Sequence, residues 1–204
     1  MMVYGMLYRN MKIILGLLLM LMLFGNTGFA IEVENKVEYL LDARGDDGDI
    51  ALERLSINKK IDSTDIMLSI FAEAQWSVEA SEWEKLLTGI KAGKSFWEYL
   101  YISQSIQFIS GEMLDYMAFD AGSYSFDATT KIGVKVPFLE DFNLSIFEEY
   151  SVNLEEFKDE YCETIAEVQY TPVDLLSVGI GWRHTDRIHN FDTDYVTSSV
   201  TLRF

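Results

Sequence analysis

The sequence predicts an all-β fold: a closed, antiparallel, up-and-down transmembrane β-barrel of about ten strands, with eight or twelve as the alternatives. Three observations predict it. Beyond residue 30, apolar and polar residues alternate with a period of two in one segment after another. One face of that alternation carries aliphatic and aromatic side chains, while the other carries charges of both signs. No apolar run after residue 30 reaches the ~20 residues that a membrane-crossing helix needs.

The first thirty residues read as a targeting segment. Arg9 and Lys12 form a basic region, Ile13 to Phe24 an apolar core, and Gly28-Phe29-Ala30 places small residues at −3 and −1 of a cleavage site. An apolar core of about a dozen residues is short for a spanning anchor. Residues 1–30 are therefore expected to be a cleaved signal peptide and 31–204 the barrel domain. Met11 opens a shorter and equally good signal, so the start lies at Met1 or Met11. Cleavage removes two positive charges and leaves the mature chain more acidic than the formal net charge of −17. Such acidity argues against a nucleic-acid partner. Cys162 is the sole cysteine, so no intramolecular disulfide can form.

The strands follow in order. The first two are placed at 31–44 and 50–61. In the third, Ile66, Leu68, Ile70, Ala72, Ala74, Trp76 and Val78 alternate with Ser69, Glu73, Gln75 and Ser77. The fourth and fifth are placed at 86–96 and 99–110. In the sixth, Phe126, Ala128, Ile132, Val134 and Val136 oppose Asp127, Thr129, Lys131, Gly133 and Lys135. The seventh, at 143–154, puts Glu148 on the apolar side beside Ile146 and Tyr150, which a β-bulge near Phe147 or a position at headgroup level would explain. The eighth is placed at 162–171. The ninth runs from Leu175 to His184, with Leu176, Val178, Ile180 and Trp182 on one face and Arg183 on the other. The tenth carries Val196, Val200, Leu202 and Phe204 against Ser199, Thr201 and Arg203.

The connections alternate as well. Those at 62–65, 139–142 and 171–174 are short, and Pro172 falls where no ladder donor is needed. Those at 45–49, 81–85, 111–123, 155–161 and 185–194 are longer or more polar. Short turns at one end and long loops at the other are the pattern of transmembrane barrels, whose short end is periplasmic. An even strand count then puts both termini in the periplasm.

A charged face cannot form the core of a water-soluble sandwich, because each unpaired buried ion would cost several kcal/mol. The conflict disappears if the apolar face meets outer-membrane lipid and the charged face lines a lumen. In lipid every backbone group must be paired, so the sheet has to close. Tyr39, Trp76, Tyr101, Tyr170 and Trp182 near strand ends fit interfacial girdles.

The terminal Phe204, with Leu202 and Val200 at alternate positions before it, resembles the C-terminal assembly signal of bacterial outer-membrane proteins. Ser198 departs from the apolar residue often found further upstream. The resemblance implies insertion by the barrel-assembly machinery, and the whole mature chain is similar to the small outer-membrane barrels of that class. A monomer in the outer membrane is the expectation.

Parity turns Glu34, Lys36, Glu38, Arg54, Glu73, Lys131, Lys135, Glu149, Glu167, Arg183 and Arg203 inward. Lys60, Lys91, Asp42 and Asp127 point the same way. Mixed charges in a narrow lumen are expected to pair with one another, Arg183 with Glu149 and Glu167. Ten strands lie between the filled eight-strand barrel and the open sixteen-strand porin, which excludes a large pore. The longer connections hold fifteen acidic and three basic residues, a solvated surface. Asp46-Asp47-Asp49 and Asp192-Thr193-Asp194 lack the ordered spacing of a calcium loop, so neither metal nor cofactor is expected.

The functional expectation is a structural, adhesive or narrow-channel role with a charge-filled lumen. The alternative is a surface hydrolase in which His184 or His189 activates water with Asp186, Asp192 or Asp194, as in barrel proteases of the omptin type. Against it, parity turns His184 outward, and no second acidic pair is marked by a motif.

Overall fold

The structure is a computed structural model that describes residues 31–45, 48–61, 63–79, 82–97, 99–110, 124–186 and 192–204. The expected signal peptide, together with Asp46, Asp47 and His189, lies outside the described residues. The strands are β1 (Ile31–Asp42), β2 (Ile50–Ile61), β3 (Ile66–Ser77), β4 (Glu82–Phe96), β5 (Leu100–Ser110), β6 (Tyr124–Leu139), β7 (Phe142–Asn153), β8 (Lys158–Val173), β9 (Leu176–Asp186) and β10 (Thr193–Arg203). Each lies beside its sequence neighbours, and β10 pairs with β1 to close the barrel. Val37 sits opposite Val200 at that seam. Val33 and Phe204 exchange backbone hydrogen bonds of 3.0 and 2.9 Å at its end, so the last residue still belongs to the ladder.

Several strands run further toward the long loops than alternation indicates. Glu82 to Lys85, Lys158 to Tyr161, and Thr193 with Asp194, expected in loops, belong to β4, β8 and β10. Beyond the apolar belt a strand meets water on its outer face. The backbone ladder continues there while the demand for alternating hydrophobicity stops.

At the terminal end the turns are tight. In the β2–β3 turn the Thr64 and Asp65 amides both donate to the Ile61 carbonyl, and Asp65 takes a positive φ of 57°, which a short polar side chain tolerates. A hydrogen bond from Lys60, 2.9 Å away, holds the Asp65 carboxyl below the usual carboxylate range. Both prolines sit at irregularities: the β6–β7 register shifts between Pro137 and Leu139, and the β8–β9 register between Tyr170 and Val173, around Pro172. A residue without an N–H fits such places because no ladder donor is missed.

The side chains are distributed inside out. Buried positions are mostly small and polar, among them Ser56, Ser69, Ser103, Thr129, Ser151, Ser177 and Ser199. Aliphatic residues point away from the barrel: Ile90 is 58% exposed and Ile180 63%. An apolar exterior wrapped around the whole sheet far exceeds the few hundred Å² a soluble monomer ordinarily shows. Among the inner apolar residues, Leu40, Ile50, Leu52 and Tyr195 pack together toward the long loops, while Phe71 and Phe147 line the lumen nearer the terminal end. Aromatics gather at the opposite rim, where Phe142 stacks on Tyr170 at 4.7 Å and lies 5.8 Å from Phe138.

The bulge expected near Phe147 is absent. The register of β7 with both neighbours is unbroken through Phe147 and Glu148. Glu148 therefore faces outward, where Thr164 Oγ1 donates to it at 2.9 Å and Cys162 Sγ lies 3.8 Å away. Neighbouring polar groups on β8 satisfy it in place of a backbone distortion.

Candidate functional site

The lumen gathers the charged residues. Glu34, Lys36 and Glu38 come from β1, Arg54 from β2, Glu73 from β3, Lys131 and Lys135 from β6, Glu149 from β7, Glu167 from β8, Arg183 from β9 and Arg203 from β10. They reach one another because their inner-face neighbours are small, so long side chains can cross an intervening strand.

At the terminal end Arg203 Nε lies 3.1 Å from Glu34, and Arg203 Nη1 donates to Ser177 Oγ at 2.8 Å. One step inward Lys36 bridges Glu38 at 3.3 Å and Glu167 at 3.4 Å, and Ser199 Oγ donates to Glu167 at 2.6 Å. Gly179 makes room for that crossing: a Cβ there would stand 2.6 Å from Ser199 Oγ and closer still to the Glu167 carboxylate. Near mid-height Arg54 pairs with Glu73, which also accepts from Gln75 at 2.9 Å. Lys131 lies 3.4 Å from Glu149, and Glu149 accepts from Tyr161 at 3.0 Å.

The partners of Arg183 differ from the expectation. It pairs with Glu38 at 3.0 Å and Glu163 at 3.7 Å, while Glu149 and Glu167 are engaged by Lys131 and Lys36. The β8–β9 register sets Arg183 opposite Ile165, with Glu163 and Glu167 flanking it two residues to either side. Glu167 turns across Gly179 toward Ser199, which leaves Glu163 for the guanidinium. Glu163 was not singled out in the sequence because it lies at the polar start of a strand whose beginning alternation does not mark. Its odd parity was the available signal.

Among the described residues, two cavities lie in the lumen. One, of about 150 Å³, lies toward the long loops and is lined by Leu40, Tyr195, Glu163 and Arg183 among others. The other, of about 270 Å³, lies toward the terminal end and is lined by Lys36, Lys91, Lys135 and Arg203 among others. Arg54, Gln107, Lys131 and Glu149 line both, so a charged waist separates them.

The histidine expectation meets a definite geometry. His184 Nδ1 lies 2.9 Å from Asp194 Oδ1, and Asp194 also holds Arg44. The pair stands on the outer face, where the imidazole stacks on Trp182 at 5.7 Å. On the adjacent strand the Thr164 hydroxyl donates to Glu148 rather than to the imidazole. The Thr164 hydroxyl is thus engaged by the carboxylate of Glu148, and the imidazole by that of Asp194. Asp186 and Asp192 are exposed, and His184 contacts neither.

A closed ten-strand antiparallel barrel, polar inside and apolar outside, has a porin-like fold. No protein-family model matches the chain, and no curated protein does. Among solved structures it is similar to the KdgM porin in complex with disordered oligogalacturonate, with 11% identity over 85% of this chain and 99% of that one and a TM-score of 0.47. It is also similar to LpxR from Salmonella typhimurium, with 12% identity over 83% and 99% and a TM-score of 0.42. For Neisserial surface protein A the figures are 11%, 87%, 98% and 0.31. The fold is defined here by its own strand pairing, and these likenesses carry nothing about what the chain binds.

Proposed function

We propose that the chain is an outer-membrane barrel whose lumen forms a narrow, charge-lined passage for small solutes. The observation that carries this reading is the pair of cavities meeting at the Arg54, Gln107, Lys131 and Glu149 waist. A barrel serving only as a scaffold has no need of internal space, and side chains can fill an interior of about eight strands completely. Ten strands leave space, and the space is walled by charge rather than by hydrocarbon. Location in the outer membrane is supported by the apolar exterior, the aromatic rim and the expected signal peptide. The short-turn end with Phe204 is assigned to the periplasm.

Two measurements test this. The protein should fractionate with the outer membrane and run faster on a gel when unboiled. Reconstituted in a planar bilayer, it should give small, steady current steps, well below those of an open sixteen-strand porin. Recovery as a soluble periplasmic protein would remove the location, and a silent bilayer would remove the passage.

A further inference from the structure

The terminal-end chamber is lined by six cationic side chains against three carboxylates, and the cations differ in how they are held. Lys36, Arg54, Lys131 and Arg203 each have a carboxylate partner. Lys135 is exposed, near the end of β6 that leads into the turn to β7. Lys91 is the exception. It lines the chamber from the middle of β4, is not exposed, and has neither an ion pair nor a hydrogen bond among the described residues.

The wall around it explains why. Ser69 on β3 and Ser105 on β5 lie opposite Lys91, and Thr129 on β6 lies opposite Ser105. Along β4 the next inward positions are Gly89 and Gly93. The Phe71 ring takes the space over Gly89 and the Tyr101 hydroxyl that over Gly93, where a Cβ would meet them at 2.7 and 2.5 Å. None of these neighbours carries a charge, so the wall offers the ammonium no counter-ion. The charges that act on Lys91 most strongly are two further cations, Arg54 and Lys131, ahead of Glu34 and Glu149. Those two carboxylates are themselves engaged, by Arg203 and Lys131.

Arg54 and Lys131 both belong to the waist between the chambers, so Lys91 adds a third positive charge beside it. Gln107 stands at the same waist, directly opposite Gly89. It is 5% exposed, and its Nε2 has no acceptor among the described residues. An ammonium set among cations is unfavourable for a barrel that has only to be stable, unless water or an anion compensates it. From this placement we propose that the passage admits small anions in preference to cations, and that Lys91 is the residue that sets the preference, with the Gln107 amide as a neutral donor beside it. The inference rests on the passage reading and adds to it the sign of the solute.

The test reconstitutes the folded barrel in a planar bilayer of zwitterionic lipid and reads the reversal potential across a gradient of potassium chloride. Wild-type protein should pass chloride more readily than potassium. Lys91→Gln should cut the anion-to-cation permeability ratio at least about twofold, the change expected from one unit charge about 8 Å from the ion at the dielectric of water and ~0.1 M salt. Lys91→Arg should keep the wild-type ratio, and Lys135→Gln, at an exposed position, should change it less than Lys91→Gln does. Urea unfolding in detergent supplies a second readout that needs no current. Lys91→Gln should be at least as stable as wild type, because no carboxylate loses its partner. A wild type that prefers potassium, a ratio unmoved by Lys91→Gln, or a larger change from Lys135→Gln overturns the proposal. So does a clear loss of stability or of the folded band in Lys91→Gln, which would make Lys91 a structural partner. A silent bilayer removes the passage and this preference together, whereas steady conduction without anion preference removes the preference alone.

Discussion

Replacing Arg183 by alanine takes away a guanidinium held between Glu38 on β1 and Glu163 on β8. The side chains are largely withdrawn from solvent: Arg183 is 14% exposed, Glu38 4% and Glu163 12%. Removing one partner of a buried ion pair costs ~3–5 kcal/mol, because the other charge stays behind uncompensated. Here the burden is unequal. Glu38 keeps Lys36 at 3.3 Å, whereas Glu163 keeps, among the described residues, a hydrogen bond from the Thr185 hydroxyl at 3.0 Å and no ion pair. One stranded carboxylate rather than two puts the expected loss near the lower end, about 3 kcal/mol. The competing effect is screening, since Arg183 lines the cavity of about 150 Å³ and water entering it could solvate Glu163. The size of the loss therefore tells a dry network from a wet one.

The assay is reversible unfolding by urea in detergent, followed through the mobility shift between unboiled and boiled samples. Lys158→Ala is the control: its pair with Glu156 is 63% and 43% exposed, and such surface pairs are worth ~0–1 kcal/mol. In the double variant Arg183→Ala/Glu163→Gln the stranded charge is gone, and most of the lost stability should return. Equal stability for Arg183→Ala and Lys158→Ala would refute the reasoning. So would a double variant no better than the single one, which would place the cost in lost packing and not in charge.

Three further outcomes follow from the geometry. Deleting Phe204 should lower the amount of folded barrel without blocking export, because Phe204 closes the β10–β1 ladder through Val33 and resembles the terminal assembly residue; unchanged levels on a membrane blot would remove the argument. Gly179→Val should displace Glu167 from Ser199 and cost ~1–3 kcal/mol in urea unfolding, as overpacking typically does, and wild-type stability would show that the crossing is not tight. Glu148→Leu should leave stability unchanged or raise it by on the order of 1 kcal/mol, since a carboxylate on a lipid face is unfavourable, and a clear loss would mean that this face meets protein and not lipid.

Period-two alternation made the number of strands and the direction of each side chain legible, because a lipid-facing residue and a lumen-facing residue experience opposite solvents. It held even where it looked broken. Glu148 points outward as its parity says, and the bulge expected to rescue it is replaced by hydrogen bonding from Thr164. Strand ends were less legible, since Lys158 to Tyr161 lie beyond the apolar belt, where no alternation is enforced. The partners of Arg183 were not legible at all. Its contact with Glu38 crosses β10, and Glu38 is held on the far side of a seam that exists only after residue 37 has met residue 200. Parity assigns a face, whereas pairing also requires height and the state of every neighbouring strand.

The same distinction applies to charge. A formal net charge of −17 describes the whole chain, and much of it resides in loops and strand ends in contact with water. The terminal-end chamber is lined by more cationic side chains than carboxylates, six against three, because inward parity positions on β4 and β6 carry lysine. Inside the barrel the dielectric is lower and screening weaker, so those few residues act on a solute more strongly than a larger number of exposed aspartates. Net acidity argues against polyanionic nucleic acid at the outer surface. The net charge of the chain is therefore no guide to the balance of charge within the lumen, where cations and carboxylates alternate between strands.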